Sequence, residues 1–296
     1  MDSVSSSSST PKVFSSAQDL SEATAAIRNS GKNIALVPTM GALHEGHLTL
    51  VRNAKKVPNA AVVVSIFVNP LQFGPGEDLD TYPRTLDADI EKLSAEGVDM
   101  VFTPTPEVMY PNGFRTTIDP GPLATELEGA TRPGHFAGAL TVCTKLFNLS
   151  HCTDAFFGEK DYQQLVLMQE MVEDLNLPLK LHPVPIVREE NGLALSSRNR
   201  YLSADETRLA QKLSKSLFAG REAAQNGMSA EDVKGAARKY LAQFPDIDVE
   251  YVELRDARLG KLEESNDTGV VECRLLLAAR IGTTRLIDNM GVMLQR

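Results

Sequence analysis

Hydrophobic and polar positions follow two rhythms along this chain. Short unbroken apolar runs, such as Ile34-Ala35-Leu36-Val37 and most of residues 60–68, have the length and β-branched content of strands buried on both faces. Between such runs, apolar residues recur at helical spacing: Leu165, Met168, Met171, Val172 and Leu175 form one stripe, and its methionines read as core. The pattern predicts strands at 33–38, 60–69, 99–103, 154–158 and 180–187, and helices at 48–56, 86–96, 139–148 and 162–176. Alternating strands and helices imply an α/β fold, a Rossmann-like doubly wound domain whose mostly parallel sheet carries helices on both faces. After Val187 the rhythm changes to helices at 205–226 and 230–244, then strands at 246–257 and 270–281 with a return at 283–289. This predicts a smaller C-terminal α+β domain. The chain thus reads as a disordered Ser-rich tail (1–12), a Rossmann-like domain (13–187) and a C-terminal domain (188–296).

Ligands of such sheets bind beyond the C-terminal strand ends, where the strand order reverses. Three polar stretches fall just after predicted strands: 44–47, 69–72 and 158–161. The first lies in Pro38-Thr39-Met40-Gly41-Ala42-Leu43-His44-Glu45-Gly46-His47, which holds two of the five histidines. With the helix read as starting at Leu48, this unit sits at a strand-to-helix junction. Free backbone N–H groups and the helix dipole make such a junction an anion site. Gly46 would let a large anion approach the backbone, and two imidazoles could donate to phosphate oxygens. The combination points to nucleotide chemistry at an α-phosphate. No Gly-x-Gly-x-x-Gly follows a strand and no Gly-x-x-x-x-Gly-Lys-Ser/Thr occurs, which disfavours a nicotinamide dehydrogenase and a P-loop kinase.

Composition narrows the partners. The net charge is −9, from 39 acidic and 30 basic residues, which argues against a nucleic-acid surface and for small metabolites. The three cysteines, Cys143, Cys152 and Cys273, form no Cys-x-x-Cys and read as reduced thiols of a cytoplasmic protein. No stretch approaches the roughly 20 apolar residues of a membrane span. The first residues lack the basic region and apolar core of a secretory signal.

Five motifs in order carry a family resemblance. They are the 38–47 stretch, Ser65-Ile66-Phe67-Val68-Asn69-Pro70-Leu71-Gln72-Phe73, Arg132-Pro133-Gly134-His135-Phe136, Phe157-Gly158-Glu159-Lys160-Asp161-Tyr162-Gln163-Gln164, and Leu195-Ser196-Ser197-Arg198-Asn199. Together they resemble the pantothenate synthetases, the pantoate–β-alanine ligases of the nucleotidylyltransferase superfamily, from about Asn33 to Tyr201 and more loosely beyond. The resemblance implies an ATP-dependent ligase that forms pantoyl-adenylate and then pantothenate, with AMP and pyrophosphate released, on the route to coenzyme A.

It also implies roles for single residues. Met40, Gly41, Ala42, Leu43, His44, Glu45, Gly46 and His47 would line the ATP site, with His47 as the family's assigned proton donor. Gly158, Glu159, Lys160 and Asp161 would form a second ATP-binding stretch, in which Asp161 could accept from ribose and Lys160 could bind phosphate or carboxylate. Val187 would meet adenine through its backbone. Leu195, Ser196, Ser197 and Arg198 resemble the phosphate-gripping loop of the class I aminoacyl-tRNA synthetases, with Leu195 where the family usually has methionine. Gln72 and Gln164 match the pantoate-binding glutamines. His44, His47, Lys160, Ser196, Ser197 and Arg198 are the expected catalytic set.

Mg2+ is expected as the ATP counter-ion, with no protein ligand cluster. A homodimer is implied by the resemblance alone. Arg132 and His135 belong to a family-like loop with no assigned step. Residues 73–84 and the C-terminal domain are expected to close over the site. The alternatives are a nucleotidylyltransferase of the same fold, which would release pyrophosphate but no AMP, and a non-catalytic nucleotide- or tRNA-binding module.

Overall fold

The computed structural model describes residues 10–262 and 269–295. Residues 1–9 of the expected tail lie outside the described residues. Lys12, read as tail, instead opens a strand.

The chain divides into two compact units. The first runs to Glu159 and resumes over Leu167–Val184, and the second comprises Lys160–Val166 and everything from Pro185. The elements of the first region are β1 (Lys12–Phe14), α1 (Ala17–Asn29), β2 (Asn33–Thr39), α2 (Glu45–Ala54), β3 (Ala60–Ile66), α3 (Leu86–Ala95), β4 (Met100–Phe102), the one-turn helices α4 (Pro106–Met109) and α5 (Glu128–Thr131), α6 (His135–Ser150), β5 (Asp154–Gly158), α7 (Tyr162–Asp174) and β6 (Lys180–Val184). The first turn of α7 belongs to the second unit.

The six strands pair in the order β1-β4-β3-β2-β5-β6, every pair parallel. From β2 the chain first builds outward through β3 to β4, then returns to add β5 and β6 on the other side. The order therefore reverses between β2 and β5. The apolar runs predicted as doubly buried strands are so: Ile34, Ala35, Leu36 and Val37 are at most 1% exposed. Alternate residues face opposite sides. Ala35, Val37, Val62, Val64 and Phe156 pack with Leu50, Val51 and Leu93 of α2 and α3. On the opposite face α1 and α6 pack against β2, and Phe147 of α6 meets Phe157 of β5 edge-on. At the ends of the sheet, β1 is three residues long and follows buried Pro11, while β6 carries Pro183 opposite Phe157.

The second unit contains α8 (Ala204–Gln225), α9 (Ala230–Leu241) and an antiparallel sheet β7-β8-β9 (Ile247–Asp256, Val270–Ile281, Thr284–Gln295). Ser203 caps α8 in a capping box with Glu206. Leu213 and Leu217 of α8 with Val233 of α9 pack on Leu275 and Leu277 of β8.

Four differences from the sequence reading have physical causes. Helix α1 was not predicted, because only Leu20 and Thr24 are buried along it and no apolar stripe is visible. Helix α2 begins at Glu45 rather than 48, because a histidine serves as its cap. The strands predicted to reach 69 and 187 end at Ile66 and Val184: the first gives way to the Asn69-capped turn at Pro70–Gln72, and the second is followed by Pro185, which has no N–H to continue a ladder. The last strand runs on to Gln295, six residues past the predicted return, with Met290, Val292 and Leu294 buried in alternation.

Candidate active site

The first unit sets its residues around the C-terminal ends of β2, β3 and β5, the place where the strand order reverses. After β2 the backbone makes a left-handed turn, with Gly41 at φ +83° and Ala42 at φ +50°. A side chain at Gly41 would be strained, and its Cβ would sit 3.0 Å from Ile66 Cγ2. Asp89 of α3 holds this turn. Fully buried, it accepts from Ala42 N at 2.9 Å and Leu43 N at 2.8 Å, and from the Thr85 hydroxyl at 3.0 Å. Lys92, one turn later, donates to Leu43 O at 2.7 Å.

The turn delivers His44 and His47 as a reciprocal cap. Gly46 N donates to His44 Nδ1 at 3.1 Å, and His44 N donates to His47 Nδ1 at 3.3 Å. His47 N is taken by His44 O at 2.8 Å. This corrects the expectation of free backbone donors for three N–H groups, those of His44, Gly46 and His47, which are engaged within the turn. Because each Nδ1 accepts a backbone hydrogen bond, a neutral ring carries its proton on Nε2. The two rings lie 4.1 Å apart, centroid to centroid, tilted by 37°. Sequence and cap together therefore fix the orientation of both rings.

Gln72 follows β3 in a 3-10 turn, Pro70–Gln72, and is 9% exposed. Its Oε1 accepts from Asn69 Nδ2 at 2.9 Å, and its Nε2 reaches Met40 Sδ at 3.3 Å. Asn69 is itself fixed by Gly138 O at 3.1 Å and by the Tyr110 hydroxyl at 2.8 Å. Arg132 and His135, left without a role by sequence, hold the backbone of this turn. His135 Nδ1 donates to Gln72 O at 2.7 Å, so its Nε2 is the acceptor facing Arg132 at 3.1 Å. Arg132 also donates to Gln72 O at 3.3 Å and grips Glu77 in the 73–84 loop.

Burial pushes the Glu77 carboxyl up, but its hydrogen bonds and charge pairing with Arg132 hold it below the usual carboxylate range. A depressed folded value means that the tether is present above the ordinary carboxylate pKa and is lost as pH falls through the lower value. Proteolysis of the 73–84 loop is expected to stay constant from neutral pH to about 5 and to rise below about 4. A flat profile down to that point and beyond would contradict the tether.

Gly138 lets α6 pass the Gln72 turn. A Cβ there would lie 2.1 Å from Leu71 O and 2.7 Å from Gln72 N. Gly138→Ala is expected to cost about 1–3 kcal/mol through overpacking and, if Gln72 holds pantoate as the resemblance implies, to raise KM for pantoate. A wild-type KM would remove Gln72 from that role.

Gly158 ends β5 with nothing within 4 Å of where a Cβ would stand, which leaves room for a ligand against the backbone. Glu159 follows it and closes the first unit's share of the predicted residues.

The other predicted residues belong to the second unit. Lys160 and Asp161 lie 3.6 Å apart as an ion pair, and Gln164 is half-buried in the first turn of α7. Asn289 of β9 donates to Lys160 O at 2.9 Å. Tyr162 donates to Ala257 O at 3.0 Å and lies under the Arg274 guanidinium, 3.8 Å from its ring centre. Val187 O accepts from Leu195 N at 3.0 Å, which ties the two ends of the 187–195 loop together. Ser196 caps a 3-10 turn, Ser197–Tyr201, by accepting from Arg198 N at 3.3 Å. The 187–195 loop is held by Arg188, which forms a two-pronged pair with Asp288 at 2.7 and 2.8 Å and also donates to Asn289 O at 3.3 Å.

A family model described as pantoate-beta-alanine ligase matches residues 12–291. The chain belongs to the pantoate-beta-alanine ligase family. As a member it is an enzyme, a pantoate–β-alanine ligase. It is 58% identical over 281 residues to the pantothenate synthetase of Corynebacterium jeikeium, covering 95% of this chain and 90% of that protein. It is 56% identical over 280 residues to that of Mycolicibacterium smegmatis, covering 95% and 87%. Among solved structures, pantothenate synthetase from Thermus thermophilus matches with a TM-score of 0.87 at 43% identity, over 94% of this chain and 98% of that one. A Francisella tularensis pantoate-beta-alanine ligase, complexed with beta-gamma ATP and beta-alanine, matches with a TM-score of 0.75 at 34% identity, over 95% and 97%. The ligase fold is thus present over nearly the whole chain.

Sequence reasoning missed Asp89, Asn69 as the holder of Gln72, and the Arg188–Asp288–Asn289–Arg274 set. Asp89 and Asp87 both look like ordinary acidic residues of a first helical turn. The β9 residues carry no local signal, because their partners are about a hundred or more positions away in sequence.

Proposed function

We propose that this ligase works through an acyl-adenylate, with ATP as co-substrate. The pantoate carboxylate oxygen forms a bond to the α-phosphorus of ATP, and the bond to the β-phosphate bridge breaks, releasing pyrophosphate. The neutral amine of β-alanine then attacks the acyl carbon, forms the amide and expels AMP. The observation that supports this reading is the capped His44–His47 pair, whose Nδ1 atoms are fixed by the turn and whose Nε2–H groups would serve as the donors. Negative charge grows on the α-phosphate and the departing pyrophosphate, and fixed donors stabilise it without reorganising. The ATP complex of the Francisella relative supports the same substrate here.

Lys160, Ser196, Ser197 and Arg198 would hold phosphates, and Arg198 can do so with two parallel N–H donors. Gln72 and Gln164 would hold pantoate. Neutral amides suit a carboxylate that must stay nucleophilic, since a strong ion pair would blunt its attack. Mg2+ would arrive on the phosphate oxygens of ATP. Among the described residues no group of three or more His, Cys, Asp or Glu is placed to hold a metal. The 73–84 loop and the C-terminal domain are the candidate covers that would keep water from the adenylate. We also propose a homodimer and a cytoplasmic site of action; among the described residues no helix is long and apolar enough to cross a membrane.

The test is AMP release from ATP with pantoate, with and without β-alanine, and mass spectrometry of the product. AMP formed only with both substrates, together with pantothenate, is the expected result. AMP formation absent while pyrophosphate is released would overturn the adenylate reading in favour of permanent nucleotidyl transfer.

A further inference from the structure

We infer that Asp288 and Asn289 of β9 are positioning residues for the adenylation step, a shared anchor for two segments of the nucleotide site. The inference rests on the roles proposed above for Lys160 and for the 187–198 loop.

Neighbouring residues of a strand point to opposite faces, and this two-residue step uses both. On one face Asn289 is clamped from two sides: its Oδ1 accepts from Arg274 Nε at 2.8 Å and its Nδ2 donates to Lys160 O at 2.9 Å. Arg274 extends the clamp by lying over Tyr162, two residues beyond Lys160. On the other face Asp288 takes both prongs of Arg188, which also donates to Gly192 O at 3.1 Å and so pins both arms of the 187–195 hairpin. The hairpin ends at Leu195, whose N–H bonds back to Val187, and leads directly into the Ser196–Arg198 turn.

Asp288 and Asn289 are 4% and 2% exposed, and Arg274 is 8% exposed. A buried carboxylate, amide and guanidinium are costly to keep in a sheet unless each is satisfied. Here every hydrogen bond quoted ends on a segment that carries a predicted ATP contact or on the partner that orients it. A hydrophobic pair at these positions would hold the sheet equally well but could not fix the Lys160 carbonyl or the Arg188 head. Asp288 and Asn289 touch no reacting atom in this scheme; they set where Lys160 and Arg198 stand.

The test uses pantoate-dependent pyrophosphate–ATP exchange by the full chain. Asn289→Asp keeps the acceptor for Arg274 but loses the donor to Lys160. Asn289→Ser, a second variant, carries a hydroxyl on a side chain too short to span to Lys160 O, and adds no charge. Lys160→Ala and the double variants with Asn289→Asp and Asn289→Ser complete two cycles, and thermal melting checks folding. Each Asn289 variant is expected to slow exchange by about 10- to 100-fold, the cost of misplacing a group by roughly an ångström. In the Lys160→Ala background each Asn289 substitution is expected to cost less than about 3-fold, because coupled residues do not add. Asp288→Asn is expected to raise KM for ATP about 10-fold with KM for pantoate unchanged.

Folded Asn289 variants that exchange at the wild-type rate while Lys160→Ala is slow would overturn the anchor alone. So would equal costs in both backgrounds, which would mark a merely structural role. Lys160→Ala exchanging at the wild-type rate would overturn the assignment of Lys160 and the anchor built on it.

Discussion

His44→Asn is expected to slow pantoate-dependent pyrophosphate–ATP exchange by about 10²–10³-fold while leaving the melting temperature nearly unchanged. The two halves of this expectation come from the two nitrogens of one ring. Nδ1 accepts from Gly46 N and caps α2. Asparagine is among the best capping residues, so its side-chain oxygen takes over that duty, whereas alanine would lose about 1 kcal/mol. Nε2 has no counterpart in asparagine, so the donor proposed for the phosphate would be lost. His47→Ala removes the second donor and is expected to cost a comparable factor. The double variant is expected to fall to background while remaining folded. A double variant with near-normal exchange would remove this pair from the chemistry.

Asp89→Ala is expected to destabilise the protein by about 2–5 kcal/mol, measured by urea unfolding, from two buried N–H groups losing their acceptor at about 1–3 kcal/mol each. Those groups belong to Ala42 and Leu43, which are at most 3% exposed, so water cannot replace the carboxylate without opening the turn. Activity is expected to fall with it, since the same turn aims His44 and His47. Asp89→Asn keeps an acceptor for only one of the two N–H groups and is expected to lie between wild type and alanine. A loss below about 1 kcal/mol for the alanine variant would mean that the left-handed turn at Gly41 and Ala42 holds itself.

The legibility of this chain follows the range of its interactions. The parallel sheet was visible because its strands are buried on both faces and so are apolar throughout, as at 34–37 and 61–64. The 38–47 motif was visible because its chemistry is local: both histidines, the glycines and the helix start lie within ten residues. The helix start was misplaced because histidine is an unusual cap, and the sequence carries no sign that the ring turns Nδ1 inward. Arg132 and His135 could be seen as a motif but not given a duty, because that duty is to a carbonyl at Gln72, some sixty residues earlier. The same holds for Asp288 and Asn289, which sit in a strand predicted only as a return. Nothing local marks them out, yet both are buried, at 4% and 2% exposed.

The margins of the parallel sheet carry a consequence for how copies of the protein meet. An open sheet invites another strand to join at either end and so to propagate from molecule to molecule. Here one end is a three-residue strand behind a buried proline and the other is interrupted by Pro183, which has no N–H to offer. Growth of the sheet through either edge is thereby discouraged. Self-association through this parallel sheet is turned away from its edges toward side-chain surfaces, where a pairing can close on itself instead of running on into a fibre.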